Sequence, residues 1–487
     1  MTGLKTITIE PVTRLEGHGK ISIFLNEEGN VENAYLQVPE LRGFERFCEG
    51  RKAEDLPQIT PRICGVCPVA HHFASTKALD AAFNVEPPPA AKKLRELMYS
   101  GYYVYDHTLH FYFLGAPDFV VGPDAPPAER NILGVIKKVG LDVAKEVIKH
   151  RAYGQKITAM IGGKATHPVC GLPGGVSKPL TEQERQEIER MAESSVEFAK
   201  FTLKVFEDVV LKNKKYVDLI LSDPYTLPTY YMGLVDRNNK VNFYDGNVRV
   251  VDPDGREFMK FAPSDYLNAI EEHVEEWTYV KLPYLKKLGW KGLVSGPTSG
   301  IYRVGPLARL NASEGMATPL AQEQYEHMYQ TLGRKPVHST LAFHWARLVE
   351  LLYAAERTLE LSRDGETISR EIRNKPGNPG EGVGIVEAPR GTLIHHYQLD
   401  EEGIAKKVNL IVATTNNAPA ICMSIRDAAK GLIRGGTVSD GLLNMVEMAF
   451  RAYDPCFACA THFAVGQMPL EVGIYDQDKK LLRTLKR

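Results

Sequence analysis

The sequence predicts an α+β fold, mainly α, with a long-helix bundle core and peripheral β segments. Helical patterns of unusual length fill the middle of the chain, and two-residue alternation is confined to the amino-terminal end and to short later stretches. No internal repeat divides the 487 residues. Ordinary helices run three or four turns, so segments of about 30 residues imply helices packed along their whole length.

Taken in order, residues 5–38 read as strands: ITIEP, KISIFLN and VENAYLQV, with a turn at Glu28-Gly29-Asn30. The Pro-rich step EPPPAAKK opens an apolar helix over roughly 90–113, ending at Gly115. A further helix covers roughly 127–160 and closes at Gly162-Gly163. Thr181 and Glu184 form a capping box heading a helix of about 30 residues. Between 220 and 310, Pro, Gly and Tyr interleave with short strands, the pattern of a mixed insertion packed on the bundle. Helices return at 319–333 and 339–363, and RNKPGNPGEG is a connector. TLIHHYQLD and KKVNLIVAT make a strand pair before helices near 418–435 and 439–453.

Composition excludes several classes. With 59 Lys and Arg against 60 Asp and Glu, the net charge is −1, which leaves no basic field for nucleic acid or an anionic membrane surface. No apolar run approaches the roughly 20 residues that span a bilayer. The start, MTGLKTITIEPV, lacks the regions of a signal peptide. Seven scattered cysteines do not suggest a disulfide framework, so a cytoplasmic, reducing setting is expected.

Two C-x-x-C pairs carry the chemistry: Cys64 with Cys67 in RICGVCPVAHH, and Cys456 with Cys459 in DPCFACATH. Each turn can aim two thiolates at one soft metal. Most of the chain separates the pairs, so a single site requires the fold to bring its ends together. A closed structural zinc site is the plain alternative. Against it stand Arg62, His71, Asp454 and His462, polar groups beside the thiolates of the kind that tune a reactive centre. Cys48, Cys170 and Cys422 read as small buried hydrophobes, and His167, His395 and His396 as packing or loop residues.

Both cysteine strings, with EPVTRLEGHGKI, ELRGFERF, YDHTLHFYF, GPLARLN, FHWARL, EAPRGTLIHH and VATTNNAPA in order, resemble the nickel–iron hydrogenase large subunit over nearly the whole chain. EGVGIVEAPRGTLIHHY and DPCFACATH are most similar to its cytoplasmic, multimeric branch, in particular the methyl-viologen-reducing, deazaflavin-non-reducing type. The resemblance implies that family's large-subunit fold and reversible cleavage of dihydrogen into protons and electrons. It implies a NiFe centre with cyanide and carbonyl on the iron, Cys64 and Cys456 as terminal nickel ligands, and Cys67 and Cys459 as bridges.

Further roles follow from the same likeness. Glu16 matches a proton relay beside Cys456, although taken alone it reads as a solvated partner of Arg14 or Lys20. Arg390 matches a guanidinium over the metals, held by Asp106 and Asp454. Thr414 stands where a hydroxyl donates to a cyanide, and Ala413-Thr414 replaces the Pro-Ser of most family members outside this branch. His71 is expected to hydrogen-bond a bridging sulfur. Glu45, the Leu410 carbonyl and His462 match a magnesium (or iron) site locking the carboxy-terminal segment. The family pattern makes 1–462 one domain and 463–487 an extension removed by a maturation endopeptidase. No cysteines remain for an electron relay, so an iron–sulfur small subunit is required, and the resemblance further implies a heterodisulfide reductase and a further electron-transfer subunit as partners. The quinone-binding large subunit of complex I, built without the metals, is the rival of similar fold that the retained cysteines oppose.

Overall fold

The computed structural model describes residues 5–461, 471–475 and 481–486. Three strands open the chain, β1 (Lys5–Ile9), β2 (Lys20–Leu25) and β3 (Val31–Gln37), paired antiparallel in that order. Ile21, Ile23, Leu25, Ala34 and Leu36 turn inward, as their alternation demands.

The core is helical. α1 (Pro68–Ala82) starts directly after Cys67, with Pro68 at its first position. α2 (Pro89–Leu109) continues without a break through π-helical turns at 110–115 and 117–121. The expected stop at Gly115 is therefore wrong. Gly115 instead makes room for a crossing helix, since a Cβ there would lie 2.9 Å from the His344 ring. The helix expected over 127–160 is two: α3 (Ile132–Val139), capped by the Asn131 side chain, and α4 (Leu141–Gly162). Gly140, with φ 91°, divides them. α5 (Glu182–Phe206) carries the expected capping box and extends through a π turn to Leu211.

The 220–310 stretch is mixed, as expected. β4 (Tyr230–Val235), β5 (Asn247–Val251), β6 (Glu257–Phe261) and β7 (Tyr302–Arg303) form one sheet in the order β7-β4-β5-β6. α6 (Pro319–Leu332) and α7 (Phe343–Arg363) follow, and α7 packs against α5 and α2. Two strands were expected next, and three are found: β8 (Glu381–Ala388), β9 (Gly391–Leu399) and β10 (Ala405–Ile411). β8 lies directly on α1. A Cβ at Gly382 or Gly384 would sit 2.2 Å from the carbonyl of Ala78 or Ala74, so glycine admits the strand.

α8 (Ala413–Leu432) begins five residues before the expected start and runs through Pro419. Its first turns are anchored by buried asparagines: Asn416 donates to the Thr392 carbonyl at 2.8 Å, and Asn417 accepts from the Val304 amide at 2.9 Å. α9 (Asp440–Arg451) leads to the second cysteine pair. Further along, residues 471–475 and 481–486 pair as an antiparallel ribbon. No described helix is long and apolar enough to cross a membrane.

Candidate metal centre

Four sulfurs from the two ends of the chain meet. The Sγ atoms of Cys64, Cys67, Cys456 and Cys459 all lie within 4.8 Å of one another, and all four residues are buried. Cys456 and Cys459 lie 2.8 Å apart within their own turn, and across the two turns Cys64 is 3.5 Å from Cys456 and Cys67 is 3.5 Å from Cys459.

Local backbone aims each sulfur. Cys64 is extended at the end of a short 3₁₀ turn, and its sulfur accepts from the amides of Val66 (3.2 Å) and Cys67 (3.0 Å). Cys67 stands at the amino terminus of α1, where the helix dipole favours a thiolate. Cys456 is extended ahead of the short helix Phe457–Ala460, and its amide donates to Thr414 Oγ1 at 3.0 Å. Asp454, just before it, is held left-handed at φ 57°.

The RLEGH segment lies alongside this second turn. Glu16 pairs with Cys456 as a parallel bridge, and the Phe457 amide donates to the Glu16 carbonyl at 2.9 Å. Glu16 Oε2 lies 2.8 Å from Cys456 Sγ and accepts from the Ala458 amide at 3.3 Å. The approach needs glycine: a Cβ at Gly17 (φ 87°) would sit 2.6 Å from the Ala458 nitrogen. Burial raises the Glu16 carboxyl above its ordinary value, as does the charge of Cys64.

Arg390 stands in the turn between β8 and β9. Its Nη1 lies 3.2 Å from Asp106 Oδ2 and its Nη2 2.9 Å from Asp454 Oδ2. Nε has no partner among the described residues, and burial outweighed by the two carboxylates and the Cys67 and Cys456 sulfurs keeps the guanidinium firmly charged. Burial raises both Asp106 and Asp454, while Arg390 pulls each back down.

His71 is buried on α1, 3.1 Å from His395 Nε2; His395 in turn meets the Tyr397 hydroxyl at 2.7 Å, which donates to Ser75. His395 is thus part of a buried polar string rather than simple packing. His72 clasps two loops, with Nδ1 at 2.6 Å from the Pro57 carbonyl and Nε2 accepting from the Gly171 amide at 2.8 Å. His396 meets Tyr266 and Glu381. Glu45 and Leu410 are brought together, the Leu410 amide donating to Glu45 Oε1 at 2.8 Å. Burial raises the Glu45 carboxyl against the pull of Lys281. His462 lies outside the described residues. Cys48, Cys170 and Cys422 are buried free thiols whose burial pushes each up to about 12.

Sequence reasoning missed the clamps. Arg42 donates to the carbonyls of Ile63 (2.6 Å) and Ala458 (3.2 Å), and its amide donates to the Thr461 carbonyl (2.9 Å), so one residue ties both cysteine turns together. Asp118 gathers Arg14 (2.5 Å), Arg451 (2.7 Å) and Asn444 (3.1 Å), joining the Glu16 segment to α9. Arg42 sits in the ELRGFERF string and Arg14 in EPVTRLEGHGKI, but nothing local to either string reveals a partner so far along the chain.

The donor set fits a soft, positively charged centre. Burial opposes ionisation at Cys64, but thiol donors from Cys456, Cys459 and Cys67 outweigh it and hold that group well below its ordinary value. Burial drives Cys456 and Cys459 well above theirs. Four thiolates buried this close together need cationic metal to offset their charge.

A family model described as nickel-dependent hydrogenase matches residues 42–132 and 297–462, and one described as HoxL-like matches 6–41. An F420-non-reducing hydrogenase iron-sulfur subunit of Archaeoglobus profundus is 53% identical over 99% of this chain and 100% of its own length. The chain belongs to the nickel-dependent hydrogenase family. The beta subunit of the NAD-reducing hydrogenase HoxS of Cupriavidus necator is 38% identical over 98% of this hydrogenase and 99% of its own length. Among solved structures, an NAD+-reducing NiFe-hydrogenase in the H2-reduced state superposes with a TM-score of 0.88 at 36% identity, covering 94% of this chain and 99% of that one. The as-isolated Ni-Fe-Se hydrogenase of Desulfovibrio vulgaris Hildenborough gives 0.74 at 26% identity, covering 94% and 100%. The fold is thus the α+β hydrogenase large-subunit fold, and the chain is the catalytic large subunit of a nickel–iron hydrogenase.

Proposed function

We propose that the four sulfurs hold a nickel–iron centre, with Cys64 and Cys456 terminal on nickel, Cys67 and Cys459 shared with iron, and cyanide and carbonyl completing the iron. The approach of all four sulfurs within 4.8 Å of one another supports one shared centre, and the division between terminal and shared ligands follows the family likeness. Such a centre, when bound, supplies the Lewis acidity that polarises dihydrogen and takes up its two electrons.

The chain's own residues do the rest. The Cys456 sulfur accepts the first proton and passes it to Glu16 Oε2, 2.8 Å away, which the Ala458 amide holds in place. That contact is the single observation carrying the reading. The raised Glu16 carboxyl suits a group that must take a proton and release it. Arg390, pinned by two carboxylates, presents a fixed cation at the cluster. Thr414 accepts the Cys456 amide, which leaves its own hydroxyl hydrogen to donate to an iron-bound cyanide. His71 braces the sulfur side from α1, and Glu45 with the Leu410 carbonyl and His462 forms the magnesium (or iron) lock.

The two electrons leave by another chain. Gly65, between the first pair of cysteines, is exposed, and an open cavity of about 610 Å³ lined by Phe44, Phe47, Ile59 and Arg62 lies beside that turn. This face suits an iron–sulfur small subunit, with a heterodisulfide reductase and a further electron-transfer subunit beyond it, in the cytoplasm. We place 1–462 in one domain and have the maturation endopeptidase remove 463–487. Intact mass of active holoenzyme checks this, and retention of all 25 residues refutes it.

Glu16→Gln tests the relay. The variant keeps its nickel and iron but loses about 10²–10⁴-fold in proton/deuterium exchange. Wild-type exchange at normal metal content sinks the assignment.

A further inference from the structure

Arg347, on α7, is fully buried, yet its described hydrogen bonds go to carbonyls alone. Nη2 donates to Ala452 at 3.0 Å and Nη1 to Phe343 at 3.4 Å, and Nε has no partner among the described residues. Buried guanidinium groups ordinarily pair with carboxylates. The nearest carboxylates are all engaged elsewhere. Glu350 is gripped by Arg309 through two bonds of 2.6 Å and meets His107 at 3.0 Å. Arg309 also serves Glu387 at 2.8 Å. Arg390 alone serves both Asp106 and Asp454.

The formal charges explain the arrangement. Each of these buried clusters has one arginine for two carboxylates, so each is net negative when both acids are ionised, which a low-dielectric interior penalises. Arg347 stands one turn from Glu350 on α7 and bonds the carbonyl two residues before Asp454, which places it beside both clusters; burial lowers its guanidinium to about 10 against the pull of Asp454 and Glu350. Its Ala452 carbonyl partner belongs to the turn that leads through left-handed Asp454 to Cys456.

We propose that Arg347 is a positioning residue. It is the unpaired cation that lets Asp106 and Asp454 share Arg390 in a buried interior, and it pins the turn below the second cysteine pair. The charge-balance part stands on burial and contacts alone; the effect on catalysis rests on the reading of Arg390 given above.

Three holoenzymes test it: Arg347→Met, Asp106→Asn and the double variant. If charge balance is the function, removing one carboxylate repairs the loss of the cation. The double variant then melts at a higher temperature than Arg347→Met. If Arg347 merely fills space, the two losses add, and a double variant melting at or below Arg347→Met overturns the proposal. Should Arg347→Met accumulate only as insoluble chain, soluble yield is compared the same way: recovery by Asp106→Asn supports the proposal, and no recovery overturns it. Proton/deuterium exchange is read alongside and reports on Arg390. A repaired melting temperature with wild-type exchange in Arg347→Met would count against that catalytic reading while leaving the charge balance intact.

Discussion

A carboxylate reaches a buried sulfur only if its backbone is carried within a few ångströms of it. Around Glu16 that task falls on Gly17, which lets the segment touch Ala458, and on Arg14, whose left-handed backbone turns its guanidinium onto Asp118. Asp118 is the hinge of this local arrangement. Burial alone would raise its carboxyl, but Arg451 and Arg14 outweigh burial and hold it below 3.8. A depressed acid stabilises the fold fully above its unfolded value and loses that contribution as pH falls through the folded one. The native protein should therefore lose stability progressively below about pH 3.8 as the Asp118 carboxylate takes up its proton. Asp118→Asn should cost about 1.5–3 kcal/mol near neutrality, because half-buried Arg14 loses its carboxylate and buried Arg451 keeps only Glu447, and should flatten the acid limb. Denaturation midpoints across pH measure both effects, and a wild-type midpoint at pH 7 contradicts the claim.

At the scale of elements, the centre depends on how closely α1 and β8 approach. α1 positions Cys67 and His71, and β8 with β9 presents Arg390, so their spacing fixes sulfur against guanidinium. Gly384→Ala inserts a Cβ 2.2 Å from the Ala74 carbonyl, against backbone that cannot yield. Overpacking of this kind costs about 1–3 kcal/mol. The variant should show a lowered denaturation midpoint and reduced nickel per chain, whereas unchanged values for both would show that the contact is slack. β8 was also the element the sequence hid. Its alternation is interrupted by glycines whose purpose is visible only once α1 lies against them. Gly115 misled for the same reason, since it reads as a helix stop but serves a crossing by α7. The capping box at Thr181 was legible because both of its partners lie within one turn.

At the scale of the molecule, the two cysteine strings announced the centre because each is compact and chemically specific. The Arg390, Asp106 and Asp454 triangle came through likeness of motifs, and the geometry then brought the three together. The bracing by Arg42, Asp118 and Arg347 could not be read from the chain. Arg42 and Arg347 hold backbone carbonyls, which carry no side-chain signature, and Asp118 takes side chains more than a hundred positions away. The architecture has one purpose in this account: the first and last portions of the chain close around four buried sulfurs whose charge the protein cannot carry alone.

X-ray absorption at the nickel edge of the purified holoenzyme probes that claim most directly. Sulfur neighbours from all four cysteines together with one nearby iron are predicted, with one sulfur lost in Cys64→Ser. Zinc in place of nickel, or a nickel shell made of nitrogen and oxygen, would contradict it.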